Sequence, residues 1–386
     1  MAVLTVDAAS GAVISDQGGG APHHPASLTK MMTAYVAFRA IQSGTAKLDD
    51  TVRVSDHAAQ QGGSLLGLRK GEVLSLGQAL RAMIVRSAND AAVAVAEHLA
   101  GSEPAFAERM SAEARRLGMG STNFRNATGM TAPGHITTPR DMAVLALAID
   151  RDFPGYRALF SAREVSWKGH ALPSVNGFLS NFAGAEGMKT GFTCPAGYNL
   201  VAIANRGSRR AVAVVMGAGS SVQRMSAVRD AMNRALTAVP AAGGGGRMLA
   251  GVPNLGGAPP DLSAEACGLR AVGQGRGLAQ SRSVPAGWAL EVAFGRDPGK
   301  VRRDLAAVHG QLRGRLGGGS PLVVIRPRSG ALAYRGLIVG LAERKAIDIC
   351  LVERARAGEE RCLVLSPGMV AGALEDERRF RMIAAQ

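Results

Sequence analysis

The sequence is poor in aromatic residues and in cysteine, and each shortage narrows what the chain can be. Aromatic residues make up 4% of the 386 positions, which leaves few rings for the stacking platforms that bind single-stranded nucleic acid. The four cysteines form no C-x-x-C pair and have no histidine cluster beside them. We therefore expect no zinc site, no other metal and no cofactor.

Long apolar runs are also missing. No run reaches the about 18–20 apolar residues that span a bilayer, so we expect no transmembrane segment in this chain. The first ten residues alternate as a strand does, without the basic and apolar regions of a signal peptide.

Lysine and acidic residues are scarce beside arginine. The formal net charge is +15, and only seven of the 45 basic residues are lysine. Residues 1–238 carry 24 basic against 17 acidic side chains, and the remainder carries 21 against 13. This excess favours an anionic partner such as a cell-wall polymer or nucleic acid, and the lack of rings argues against nucleic acid. A compositional bias towards arginine, alanine and glycine explains the charge equally well.

A stretch rich in glycine, proline and alanine divides the chain. Residues 239–283 include V-P-A-A-G-G-G-G-R and G-V-P-N-L-G-G-A-P-P, which predict a flexible linker. It separates a domain at 1–238 from a smaller one at 284–367, with a tail at 368–386. In the second domain Cys350 and Cys362 either form a disulfide in an oxidising compartment or remain buried thiols.

The apolar periodicity predicts two α/β domains. In the first, strands V-L-T-V-D and G-A-V-I-S precede helices at 27–42, 75–86, 89–100, 103–117 and 138–150, and two buried strands and a helix at 221–236 follow. Strands at both ends predict an antiparallel sheet flanked by helices, with an inserted helical lobe. The second domain has the order βαββαβ, with helices at 297–314 and 341–356, which is typical of a small split sandwich.

Ser27 and Lys30 stand three residues apart in H-H-P-A-S-L-T-K, at the predicted start of a helix. Residues at this spacing share a helix face, and the helix N-terminus favours developing negative charge. A lysine acts as a base only when burial or a second cation lowers its pKa. Taken alone, the pair fits an N-cap serine beside a solvated lysine better.

Two further short patterns change that balance. K-T-G occurs once, at Lys189–Gly191, where the lysine would supply the second cation and Thr190 a hydroxyl for a carboxylate. S-x-N occurs at Ser87–Asn89, Ser121–Asn123 and Ser174–Asn176. The last two lie in predicted loops, where serine and asparagine simply make turns. Ser87–Asn89 lies at the junction of two predicted helices, so we select it.

The order S-x-x-K, S-x-N, K-T-G is typical of penicillin-binding proteins and class A β-lactamases. With F-R-N-A-T-G-M and A-G-Y-N-L-V-A, residues 1–238 resemble the low-molecular-mass serine D-alanyl-D-alanine carboxypeptidases of peptidase family S11. The resemblance implies a penicillin-binding/β-lactamase-like fold. It also implies a periplasmic enzyme that removes the terminal D-alanine from peptidoglycan stem peptides and is acylated by β-lactams.

The resemblance also implies a role for each catalytic residue. Ser27 attacks the carbonyl of the penultimate D-alanine, and Lys30 takes its proton as a free amine. Ser87 relays a proton to the leaving amine, Asn89 places the substrate amide and Lys30, and Lys189 supplies electrostatic stabilisation.

Substrate-binding residues follow from the same resemblance. The backbone N–H groups of Ser27 and Phe192 would form the oxyanion hole, with Gly191 beside them. Thr190 and Thr193 would face the substrate carboxylate, which Arg224 helps to bind. Cys194 departs from the family pattern, and we expect it to tune access.

The second domain resembles a SPOR domain, a small peptidoglycan-binding module, through W-A-L-E-V-A-F, A-Y-R-G-L-I-V-G-L and R-C-L-V-L. Its first strand carries Glu291 where a glutamine is usual, so a generic α/β module without a binding role stays open. Two alternatives for the whole chain also stay open. A class A β-lactamase would need a deacylating E-x-x-L-N glutamate, which is missing, and a muropeptide or β-lactam sensor would not need the intact catalytic set.

Overall fold

A computed structural model describes residues 1–237, 247–267, 287–295, 297–316, 318–328, 331–357, 363–365 and 370. The chain divides into two compact units, and the division falls between residues 271 and 272.

The first unit alternates strands and helices from its first residues. In chain order it contains β1 (Ala2–Asp7), β2 (Val13–Gln17), a 3₁₀ turn (Ala26–Leu28), α1 (Thr29–Gln42), β3 (Thr51–Arg53), α2 (Asp56–Ala59), β4 (Val73–Ser75), α3 (Leu76–Val85), α4 (Asn89–Ala100), α5 (Glu103–Arg116), α6 (Pro139–Asp152), a 3₁₀ turn (Pro154–Tyr156), α7 (Arg157–Phe160), β5 (Glu164–Trp167), β6 (His170–Pro173), α8 (Phe178–Asn181), β7 (Ala185–Thr193), β8 (Gly197–Arg206), β9 (Arg209–Ala218), α9 (Ser221–Thr237), a 3₁₀ turn (Leu249–Gly251) and α10 (Ser263–Cys267).

The main sheet has the order β2-β1-β9-β8-β7, with every neighbouring pair antiparallel. Its central strands are continuous apolar runs because both of their faces are covered. Leu200 and Ala202 pack in the cluster that contains Val228 of α9. Val201 and Ile203 face the larger core on the other side. The predicted antiparallel sheet is confirmed, and β7, which carries K-T-G, is an edge strand.

The helical lobe between β2 and β7 begins with α1, which is buried from Thr29 to Phe38. A helix apolar on all sides belongs in a core. Ser75 and Gln78 form a capping box at the start of α3, and Gly101 ends α4 with φ +76°. The five predicted helices of the lobe are present. The β5–β6 hairpin and the two-stranded sheet of β3 and β4, whose strands flank α2, were not predicted, because strands of three or four residues leave too short a pattern.

Residues 247–267 differ from the predicted linker at 239–283. Leu249 and Val252 are buried in the main core of the first unit, and Cys267 is disulfide-bonded to Cys194. The isolated apolar residues of this proline- and glycine-rich stretch show no periodicity, so their packing could not be predicted from the sequence.

The second unit has the predicted order of elements: β10 (Trp288–Gly295), α11 (Pro298–Leu316), β11 (Ser320–Arg328), β12 (Ala331–Leu341), α12 (Glu343–Ala357) and β13 (Leu363–Leu365). Its sheet has the order β11-β12-β10-β13, with antiparallel neighbours. Cys350 is buried on α12, whereas Cys362 and all of the predicted tail except Val370 lie outside the described residues. None of the helices in the described ranges combines the length and apolar character needed to cross a bilayer.

Candidate active site

Ser27 lies in the 3₁₀ turn that leads into α1, and two other segments press against this turn. A Cβ added to Gly129 would lie 1.9 Å from the carbonyl oxygen of Ala26. One added to Gly191 would lie 3.0 Å from that of Pro25 and 3.1 Å from the backbone nitrogen of Ser27. An added Cβ would therefore overlap the turn at position 129 and crowd it at position 191, and the turn lies between the 126–130 loop and the edge strand β7.

Lys30 lies on the first turn of α1 and is fully buried. Its Nζ is 3.0 Å from Ser27 Oγ, 2.6 Å from Asn89 Oδ1 and 2.6 Å from the carbonyl oxygen of Thr128. Burial, and then the charge of Lys189, hold the pKa of Lys30 well below its usual range. A neutral amine donates its two N–H groups to the two carbonyl-type oxygens and leaves its lone pair for the hydroxyl proton of Ser27.

Ser87 and Asn89 occupy the junction between α3 and α4. Ser87 has a positive φ of 59°, a strained conformation for serine that turns the chain sharply between the helices. The side-chain amide of Asn89 donates to Gly62 O at 2.7 Å and accepts from Lys30 through Oδ1. Asn89 therefore links the 62–68 loop to Lys30.

Asp90 holds the same loop from the first turn of α4. Its buried carboxylate accepts hydrogen bonds from the backbone N–H groups of Leu66, Gly67 and Leu68, at 2.8 to 3.1 Å. Several N–H donors on one carboxylate make strong charge-assisted bonds. Asp90 therefore has a structural role, because it fixes the loop to which Asn89 also bonds.

Lys189 is 1% exposed on β7 and reaches the α3–α4 junction. Its Nζ donates to Ser87 Oγ at 2.9 Å and to the carbonyl oxygen of Thr190 at 3.0 Å. Burial, together with the charge of Arg224, lowers the pKa of Lys189 to about 7. Ser27, Lys30 and Asn89 thus form one hydrogen-bonded set and Ser87 and Lys189 another, and the α3–α4 junction carries a member of each.

The residues predicted to bind substrate follow Lys189 along β7 and reach α9. Thr193 Oγ1 lies 2.9 Å from Thr131 Oγ1. Phe192 is 39% exposed, and its ring lies 4.3 Å from that of Tyr198 between centroids. The Arg224 guanidinium lies 5.8 Å from the Tyr198 ring centroid, and its Nε is buried without a hydrogen-bond partner among the described residues.

The carbonyl oxygen of Thr128, which accepts from Lys30, was not predicted. Asn126 shapes this loop: its Oδ1 accepts from the N–H groups of Thr128 and Gly129, at 3.3 and 2.7 Å. The asparagine and glycine of N-A-T-G are residues that favour turns, so the pattern indicates a loop without showing which group its carbonyl oxygens face.

The other two S-x-N patterns do not join this cluster. Asn123 donates to Gly134 O, and Ser174 Oγ accepts from the backbone N–H of Asn176. Both patterns make local loop contacts, as the sequence indicated. Among the described residues no group of three histidine, cysteine, aspartate or glutamate side chains is placed to hold a metal ion.

The chain is similar to proteins of known family and known structure. The profile of the peptidase S11 family, D-alanyl-D-alanine carboxypeptidase, matches residues 1–220. The chain belongs to this family. In a search of solved structures, the D-alanyl-D-alanine carboxypeptidase DacD of Francisella tularensis superimposes with a TM-score of 0.60 at 28% identity, over 61% of this chain and 70% of that one. The penicillin-binding/β-lactamase-like fold predicted for the first unit is confirmed.

Two other relatives give the extent of the likeness. The D-alanyl-D-alanine carboxypeptidase DacF of Bacillus subtilis is 35% identical over 239 residues, which are 61% of each chain. Penicillin-binding protein D2 of Listeria monocytogenes, in its ampicillin-bound form, has a TM-score of 0.56 and 29% identity over 60% of this chain and 95% of that one. This chain thus spans about three fifths of the length of DacF.

Proposed function

We propose that the first unit is a serine D-alanyl-D-alanine carboxypeptidase that acts on peptidoglycan stem peptides. The observation that carries the proposal is the buried Nζ of Lys30, 3.0 Å from Ser27 Oγ. A lysine with a depressed pKa beside a serine at the start of a helix is an activated nucleophile–base pair. Family membership supplies the substrate class.

Acylation follows from the two lysines. Lys30, as a free amine, takes the proton of Ser27 while Oγ attacks the carbonyl carbon of the penultimate D-alanine. In this mechanism the backbone N–H groups of Ser27 and Phe192 would donate hydrogen bonds to the developing oxyanion. The close approach of Gly191 to the nucleophile turn supports this, because it brings β7 against the backbone of Ser27.

The proton then has to reach the leaving amine. Ser87 Oγ accepts from Lys189, so its own hydrogen is free for the amine of the departing D-alanine. In the proposed relay Ser87 gives this hydrogen to the amine and takes the proton of the protonated Lys30, which returns to the free amine. Asn89 holds Lys30 and, through its amide, the substrate backbone. Water hydrolyses the acyl-enzyme on Ser27 in a second step, with Lys30 again as base.

A free terminal carboxylate is the second requirement of a carboxypeptidase. Thr190, Thr193 and Arg224 supply two hydroxyl groups and a guanidinium beside Lys189, and the unpaired Nε of Arg224 supports this assignment. β-Lactams carry a carboxylate and a strained amide in a similar arrangement. Since the ampicillin-bound Listeria relative is a penicillin-binding protein, we propose that β-lactams acylate Ser27 here as well.

The test is release of D-alanine from a peptide that ends in D-Ala-D-Ala. Wild type should release it, and Ser27→Ala should lose about 10³-fold or more in kcat/KM. Ser43→Ala, at the exposed end of the same helix, is the matched control and should retain full activity. No release of D-alanine by wild type, with Ser27→Ala equal to it, would exclude the carboxypeptidase activity, and rapid turnover of penicillin would favour a β-lactamase.

For the second unit we propose a SPOR-like peptidoglycan-binding module. Its βαββαβ order and four-stranded antiparallel sheet support the fold. A periplasmic location is proposed from the family resemblance. The Cys194–Cys267 disulfide supports it because such bonds persist in oxidising compartments. Co-sedimentation with purified peptidoglycan sacculi tests the binding role. The full chain should pellet more strongly than a chain ending at Ala271, and equal pelleting would contradict it.

A further inference from the structure

The return segment, residues 247–267, ends beside the strand that carries Lys189. The backbone N–H of Leu262 donates to the carbonyl oxygen of Pro195 at 3.0 Å. Cys267 is bonded to Cys194. Pro195 and Cys194 both lie in the turn between β7 and β8, and Cys194 directly follows Thr193. One end of the return segment is thus covalently fixed one residue from the proposed carboxylate site.

Leu262 also packs against backbone that supports the nucleophile turn. A Cβ added to Gly197 or Gly217 would lie 3.1 Å from Leu262 Cδ1. The N–H of Gly217 donates to Asn199 Oδ1 at 2.8 Å, and Asn199 Nδ2 donates to Pro25 O at 3.2 Å. The glycines at 197 and 217 therefore make room for the return segment directly behind these contacts.

The other end of the return segment is held by a separate set of contacts. Thr138 Oγ1 donates to Asn254 Oδ1 at 3.0 Å, and the N–H of Leu255 donates to Gly20 O at 2.8 Å. A Cβ at Gly20 would lie 1.8 Å from the carbonyl oxygen of Pro253. Val252 is buried in the main core. These contacts anchor the segment independently of the disulfide, so loss of the disulfide releases only the end next to Thr193.

We propose that the Cys194–Cys267 disulfide is a positioning element for the substrate's terminal carboxylate, because it fixes the β7–β8 turn and thereby Thr193. The inference rests on the proposed function. Thr193 lies at the end of an edge strand, so its place opposite Thr131 depends on the turn that follows it. Ser27 and Lys30 are held by contacts in which the disulfide takes no part, namely the close approaches of Gly129 and Gly191 to the turn and the bonds from Lys30 to Asn89 and Thr128. Loss of the cross-link therefore weakens substrate binding and leaves nucleophile activation in place.

The test compares wild type with Cys194→Ala/Cys267→Ala on a D-Ala-D-Ala peptide. The double variant should raise KM roughly tenfold and change kcat less than about twofold, because displacement of a binding group by about 1 Å is costly while the reacting groups are unmoved. Dithiothreitol, which reduces the disulfide to two thiols and is itself oxidised to a cyclic disulfide, should reproduce this KM in wild type and leave the double variant unchanged.

Val252→Ala is the matched control in the same segment. It should lower the melting temperature by removing buried apolar groups while KM stays at the wild-type value. Cys194→Ser/Cys267→Ser provides a second pair if the alanine pair folds poorly.

Three outcomes separate the proposals. A folded double variant with wild-type KM overturns the positioning role, and so does an equal rise in KM in Val252→Ala, which would show general loosening. A wild-type protein that neither releases D-alanine nor reacts with a fluorescent penicillin overturns the proposed function, and the inference with it.

Discussion

At the scale of single residues, the chemistry proposed for the first unit depends on two buried amines. Lys30 and Lys189 are both buried, and each donates to a carbonyl oxygen and lies within 3.0 Å of a serine hydroxyl. Burial penalises the charged form of each. The charge of Lys189 further disfavours that of Lys30, and the charge of Arg224 disfavours that of Lys189. The site therefore favours a state in which one amine is neutral, as the proposed role of Lys30 as base requires.

The role of Lys30 is tested by Lys30→Arg. A guanidinium cannot lose its proton in a protein, so the rate of acylation by a fluorescent penicillin should fall about 10²–10⁴-fold, the contribution typical of a general base. Lys47→Arg, on an exposed loop, controls for the substitution itself and should react at the wild-type rate. Near-normal labelling of Lys30→Arg would show that another group takes the proton.

The pKa of Lys189 makes a prediction about stability. It is about 7 in the folded protein and near 10.4 in the unfolded chain. Between these values the unfolded chain binds more protons, so this group's contribution to stability rises with pH and is lost as pH falls towards 7. The free energy of unfolding of wild type minus that of Lys189→Met should rise between about pH 7 and pH 10, by at most about 1.4 kcal/mol per pH unit.

The pH prediction is measured by urea unfolding, followed through Trp167 fluorescence in a Trp288→Phe background so that the first unit alone is observed. Lys47→Met is the control and should give a pH-independent difference. A pH-independent difference in the free energy of unfolding for Lys189→Met would mean that the pKa of Lys189 is not depressed.

How far the sequence predicts the site differs among its residues. Ser27, Lys30 and Lys189 carry distinctive spacings, and the structure brings them together. Ser87 and Asn89 were selected because they lie at a helix junction, and they join the same cluster. The carbonyl of Thr128 was not predicted, because any residue type supplies a carbonyl oxygen and only the fold decides where it points. The Cys194 disulfide was missed because its partner is 73 residues away.

At the scale of elements, the site lies where three backbone segments approach one another so closely that a side chain between them would be crowded. The 3₁₀ turn with Ser27, the loop with Gly129 and the strand with Gly191 meet there. Helices and buried strands were predictable from their periodicity. Short hairpins and these close approaches were not, because a glycine in a sequence does not reveal which backbone it approaches.

Gly129→Ala tests this close approach. Its Cβ would lie 1.9 Å from Ala26 O, so the nucleophile turn has to move, and acylation by penicillin should fall about 10²-fold. Gly44→Ala is the matched control. Gly44 also has a positive φ, of 76°, but no atom within 4 Å of an added Cβ. It should lose about 1 kcal/mol of stability through backbone strain with no change in acylation, and equal losses in both variants would refute the steric account.

At the scale of the whole molecule, the chain combines two α/β units of predictable order. The sequence predicted a linker at 239–283, and residues 247–267 of that range are packed on the first unit. Those residues lack periodicity because their regular elements are only three and five residues long and their buried side chains, such as Leu249 and Val252, are isolated along the chain. Composition alone does not distinguish such a segment from a flexible linker.

The central claim is that Ser27, activated by Lys30, is the nucleophile of the first unit. Incubation with benzylpenicillin followed by intact-mass measurement and peptide mapping tests it most directly. The account predicts a mass increase of one penicillin per chain, located on Ser27, in wild type, and no increase in Ser27→Ala. An adduct on any other residue, or an equal adduct in Ser27→Ala, would contradict it.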